Sequence, residues 1–85
     1  MGQHLRGPVR DRLSRANGHL EAVLRMIDEG ERYPDVLLQL MAVRGALDRA
    51  TGLILEDMLD DLVAAPIQEQ GELIRRIREG LRVVT

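Results

Sequence analysis

An all-α fold is predicted by two features of this 85-residue chain. Proline and glycine divide it into three segments, and in each segment apolar residues recur at helical steps of three and four rather than at the period of two of a half-buried strand. Eighty-five residues suffice for a single domain over 1–85, because a body this small has no room for two cores. The first helix is predicted over 8–29. Pro8 suits a first helical position and Gly30 an end, and Val9, Leu13, Ala16, Leu20, Val23 and Ile27 draw one apolar stripe between them. The second helix is predicted over 34–64, opened by Pro34. The third runs over 66–79, opened by Pro66 and stopped by Gly80, with Ile67, Ile74, Ile77 and Leu81 as its stripe.

The middle helix decides the architecture. At about 1.5 Å per residue it makes a rod of roughly 46 Å, whereas a compact monomer of this length is about 30 Å across. Val36, Leu40, Val43, Leu47, Ala50 and Ile54 trace one line on it, while Leu37, Met41, Leu55, Leu59 and Leu62 spread to the flanks. One neighbouring helix cannot cover so wide a surface. A homodimer is expected, in which helices one and two of each subunit form an antiparallel four-helix bundle. Gly45 and Gly52 cost about 1 kcal/mol each relative to alanine inside a helix, which suggests close helix approach, local bending or tolerated surface positions.

Composition removes several function classes. The chain has no cysteine, which excludes disulfides, thiolate metal sites and cysteine nucleophiles. Tyr33 is the only aromatic residue, so base-stacking platforms for single strands are not expected. No apolar run approaches the roughly 20 residues of a membrane span, and no secretory leader pattern is present, so the cytoplasm is the expected location. His4 and His19 share no helix turn, Ser14 has no identifiable partners, and no phosphate-binding glycine loop follows a strand. No enzyme, cofactor or metal ligand set is expected. His4 reads as part of a free end and His19 as a helix-surface residue.

Charge is unevenly placed although the formal total is only −2. Between Met1 and Met26, Arg6, Arg10, Arg12, Arg15 and Arg25 face only Asp11 and Glu21, a local charge of +3. Glu56, Asp57, Asp60 and Asp61 crowd the end of helix two, where they read as a solvated face; a hard cation there would usually want loop carbonyls that a helix does not offer. All twelve basic residues are arginine, whose planar fork suits phosphate, carboxylate or guanine, though a GC-rich genome gives the same composition. Arg12 and Arg15, three residues apart, lie on neighbouring parts of one face, as a phosphate-tracking patch requires.

Four segments carry a resemblance: Arg12-Leu13-Ser14-Arg15-Ala16-Asn17-Gly18, Arg25-Met26-Ile27-Asp28-Glu29, Asp35-Val36-Leu37-Leu38-Gln39-Leu40 and Ala42-Val43-Arg44-Gly45-Ala46-Leu47-Asp48-Arg49. Together they resemble the copper-sensing repressor family, the CsoR/RcnR/FrmR group of bacterial regulators, from about Arg10 to Val63. The resemblance implies a three-helix subunit, a disc-like dimer of dimers, and a repressor that holds double-stranded operator DNA on a basic face without a helix-turn-helix. Carried over by motif, Arg12, Arg15 and Arg49 are the candidates for that face, with Arg10 and Arg44 in support. Within the bundle the same arginines could instead pair with Asp48 or Glu21.

The departures from the family pattern matter equally. Family metal sensors place a cysteine at the start of helix two, then a histidine and a second cysteine later in that helix. Here those positions read Tyr33, Met58 and Leu62, which cannot make a thiolate site. Some members add an N-terminal histidine, a part His4 could play. The resemblance therefore implies a repressor whose thiolate metal site is lost, with an apolar contact at the subunit boundary or a small organic effector in its place. The competing reading is an interaction paralogue that co-assembles with another family member without binding DNA itself.

Overall fold

The computed structural model describes residues 4–84, with side chains described through Arg82. Three helices follow one another: α1 over Arg6–Asp28, α2 over Tyr33–Ala64 and α3 over Ile67–Val84. α1 and α2 form an antiparallel hairpin, and α3 leans on α2. No helix among the described residues is long and apolar enough to cross a membrane.

Each junction has a local cause. Gly30 takes φ +73, a left-handed conformation that costs residues with a Cβ about 1–2 kcal/mol. With it the Gly30 N–H donates to Ile27 O at 3.1 Å and the Glu31 N–H to Met26 O at 2.9 Å, the Schellman pattern that closes a helix C-terminus. Arg32 is extended, and the Asp35 and Val36 N–H groups turn back to its carbonyl at 3.0 and 3.1 Å, so α2 starts with Pro34 in its first turn. Asp35 adds an acidic side chain at the positive end of the helix dipole. At the other end Ala65 is extended at ψ 148, as the residue before a proline prefers, and Pro66 redirects the chain into α3. Gln70 Nε2 donates to Ala65 O at 3.3 Å, tying α3 to this corner.

Two helix ends differ from the sequence expectation by more than one residue. α1 begins at Arg6 rather than at Pro8, because any of the first four N–H groups of a helix lacks an internal partner and proline's missing donor costs nothing there. α3 does not stop at Gly80 but continues to Val84. The glycine penalty of about 1 kcal/mol is small. No proline follows, and Arg82 in the last turn favours the helix dipole. Glu72 also accepts from Arg75 at 2.6 and 2.9 Å and from Arg76 at 3.1 Å, and Arg75 reaches Glu79 as well. These pairs at helical spacing hold the Glu72 carboxyl down at about 2 and push the Arg75 guanidinium further up.

The hairpin core is thin and small-residued: Val23 from α1 packs with Val36 and Val43 from α2, with Met26 beside them, and Ala16 on α1 and Ala50 on α2 are also buried. Each series steps by seven, the repeat of a coiled-coil seam. The larger members of the same stripes form a second pair of seven-residue series, Leu13, Leu20 and Ile27 on α1 with Leu40, Leu47 and Ile54 on α2. These remain 39–49% exposed. Each apolar stripe is thus split into a closed seam of small residues and an open seam of large ones. The radius of gyration, 16.9 Å, exceeds the about 12 Å of a compact 85-residue domain, and the long axis reaches 56 Å. The close helix approach considered for Gly45 and Gly52 is not made within the subunit: a Cβ at Gly52 would meet nothing within 4 Å, and one at Gly45 only Arg49 Nη1 at 3.4 Å.

Candidate functional site

The hairpin register sets the arginines in relation to one another. His19 Nε2–H donates to Gln39 Oε1 at 2.7 Å, and Val23 packs with Val36, so positions whose numbers sum to 58 or 59 stand level on the two helices. His19 is thereby a half-buried link between helices rather than the surface residue expected. Arg10 stands level with Arg49, and Arg15 with Arg44. Arg12 lies within about 5 Å of the level of Arg49 along the axis.

Sides of the hairpin follow from counting about 100° per residue from the buried Ala16 and Val43. Arg12, Arg15 and Arg49 fall on the side opposite the open apolar seam, while Arg10 and Arg44 flank that seam. All five are exposed, and none makes an ion pair or side-chain hydrogen bond among the described residues, including to Asp48 or Glu21. By contrast Arg75 and Arg76 on α3 are engaged with glutamates. Three unengaged guanidinium groups on one side of a rigid hairpin can chelate phosphate oxygens or guanine edges, because each presents a planar fork of donors.

The positions that the resemblance assigns to the family's metal ligands lie far apart within one subunit. Tyr33 opens α2 and is 78% exposed, whereas Met58 and Leu62 sit one turn apart near its other end, half-buried. Twenty-five residues of helix separate Tyr33 from Met58, about 37 Å. Met58 faces a cleft of about 830 Å³ between the end of α2 and α3, lined also by Ala65, Leu73, Arg76 and Ile77.

His4 borders the same cleft. Its Nδ1 stands 2.9 Å from Asp57 Oδ1 and its Nε2 3.4 Å from Asp60 Oδ2, distances of ion pairs when the imidazole is protonated. The sequence places His4 at a free end and the acidic run on a solvated face. The antiparallel hairpin joins them, because it returns the start of α1 to the far half of α2. No local spacing could have revealed a pairing across 53 positions; the only sequence signal is that α1 and α2 are long enough for these ends to meet.

Comparisons with known proteins agree with the three-helix fold. The profile of the metal-sensitive transcriptional repressors matches residues 6–85. The copper-sensing transcriptional repressor CsoR of Mycobacterium ulcerans (strain Agy99) is 35% identical over 57 residues, 67% of this chain. The match covers 49% of that protein, so the chain spans about half the length of this curated relative. The solved structure of the nickel-responsive transcriptional regulator InrS superposes with a TM-score of 0.78 at 36% identity, over 93% of this chain and 91% of that one. The chain belongs to the family of metal-sensitive transcriptional repressors.

Proposed function

We infer that the chain is a DNA-binding transcriptional repressor working as a symmetric homo-oligomer, a dimer closed through the open seam and a dimer of dimers on the operator. The observation that carries this is the set of exposed, unengaged Arg12, Arg15 and Arg49 on the side of the hairpin away from the apolar seam. A second copy can cover the Leu13–Leu20–Ile27 and Leu40–Leu47–Ile54 series and leave those arginines free. Symmetry then multiplies a three-arginine patch into a surface broad enough for duplex phosphates. Arg10 and Arg44, flanking the seam, would act at its rim.

Regulation does not run through a thiolate-bound metal, because the sequence contains no cysteine and the resemblance puts Tyr33, Met58 and Leu62 at the ligand positions. Antiparallel pairing would set Tyr33 of one copy near the Met58 and Leu62 end of the other, making an apolar contact that holds the dimer or admits a small organic effector. Copper(I), nickel(II) and zinc(II) at modest excess are expected not to release the DNA.

Fluorescence anisotropy with the duplex upstream of the protein's own gene tests the arginine face. Arg15→Ala and Arg49→Ala should each weaken binding while helical circular dichroism stays unchanged. A loss equal on all duplexes marks phosphate contacts, and a loss confined to the cognate duplex marks base contacts. Unchanged affinity in both variants would overturn the assignment.

A further inference from the structure

We propose that Arg44 and Asp48 form a self-complementary charge couple at the centre of the dimer contact, Arg44 of one subunit pairing with Asp48 of the partner subunit twice across the two-fold axis. The inference rests on the dimer proposed above and adds the register in which the two copies of α2 meet. Counting about 100° per residue, Tyr33, Leu37, Met41, Arg44, Asp48, Thr51, Leu55, Leu59 and Leu62 lie within about 40° of one line along α2, beside the Leu40–Leu47–Ile54 series. Leu37, Met41 and Leu59 on that line are 45–59% exposed, while α1 packs on another side of the helix, marked by Val36 and Val43. Arg44 and Asp48 are the only charged residues on the line, and they stand at its middle.

The couple is open within the subunit. Both residues are exposed, and neither makes an ion pair or side-chain hydrogen bond among the described residues. They stand four apart with the base N-terminal to the acid, which is the weaker of the two orientations for a pair along a helix. Covering such charges with apolar surface alone would cost desolvation energy. Their own two-fold image matches them instead. With α2 turned end over end about an axis level with Ala46, Arg44 stands opposite Asp48 of the partner subunit and Leu37 opposite Leu55 of the partner subunit. Tyr33 then stands opposite Leu59 of the partner subunit, so apolar residues flank the charges on both sides.

The arrangement selects one register. A slip of four residues in one direction sets Arg44 against Arg44 of the partner subunit, and a slip in the other sets Asp48 against Asp48 of the partner subunit. Leucines alone tolerate such slips, whereas like charges facing each other oppose both. An ion pair flanked by apolar residues is also screened less by salt than one on an open surface. Arg44 then acts on operator binding through the dimer it holds.

Charge reversal and mixing test the couple by sedimentation equilibrium, without DNA. Arg44→Asp puts two acids at the centre of each copy and Asp48→Arg puts two bases there, so each variant alone should show a dimer dissociation constant raised at least about tenfold. An equimolar mixture of the two should associate about as tightly as the parent, because each supplies what the other lacks. The double variant carrying Arg44→Asp and Asp48→Arg in one chain should self-associate again. Circular dichroism checks that each variant keeps its helix, and the milder Arg44→Gln and Asp48→Asn should weaken association by a smaller factor. A dimeric parent whose reversed variants associate as tightly as it does, or a mixture no tighter than either variant alone, would overturn the couple and leave the dimer standing. A parent that stays monomeric at every concentration would overturn both.

Discussion

Truncating Leu47 should weaken self-association without unfolding the hairpin. Leu47 lies on the open seam and is 44% exposed in the single chain. Full burial of a leucine side chain contributes about 2 kcal/mol, so covering the exposed part contributes about 1 kcal/mol per copy. A two-fold interface counts the change twice, and Leu47→Ala should cost about 2 kcal/mol, roughly a thirtyfold rise in the dimer dissociation constant. Sedimentation equilibrium over a range of concentrations reads that constant directly. Val43→Ala is the contrasting substitution: Val43 is buried in the closed seam, so its truncation should lower the unfolding midpoint of the hairpin itself. A parent chain that stays monomeric at every concentration, or a Leu47→Ala variant that associates as tightly as the parent, would refute the two-seam description.

Two further outcomes follow from local structure. Glu72 is held at about 2 by Arg75 and Arg76, below its ordinary 4.5, so its contribution to α3 is complete above about pH 4.5 and lost as pH falls toward 2. Comparing the acid limb of helical circular dichroism in the parent and in Glu72→Gln isolates it; the variant should lose less helix across that window, and superimposable limbs would count against it. Gly30→Ala should destabilise by about 1 kcal/mol or more because φ is +73 there, whereas Gly52→Ala should stabilise by up to about 1 kcal/mol, a Cβ at that helical site meeting nothing. Chemical denaturation of both variants checks the opposite signs.

Much of the fold was legible in the sequence because helices leave a local signature. Pro34, Pro66 and Gly30 mark junctions through their own backbone chemistry, and the apolar stripes announce α1 and α2 without reference to anything distant. What local pattern could not supply was which half of each stripe closes inside the subunit. Val43 and Leu47 are both apolar at helical spacing; only the assembled hairpin shows that the smaller residues go between its helices and the larger ones remain open. Gly80 misled because a glycine ends a helix only when the chain beyond it has no reason to continue. The candidate site divides the same way. Arg12 and Arg15 are visible as neighbours on one helix, but their alignment with Arg49 depends on the register set by His19 and Gln39. The meeting of His4 with Asp57 and Asp60 depends wholly on tertiary geometry.

The most direct measurement is the affinity of the purified protein for the duplex upstream of its own gene as salt is raised. Six or more guanidinium–phosphate contacts from a symmetric assembly should give a linear fall of log affinity against log salt with a slope of about −5 or steeper, and a loss of about a thousandfold between 50 and 200 mM. A flat dependence, or no binding at the lowest salt, would contradict the arginine face and with it the repressor.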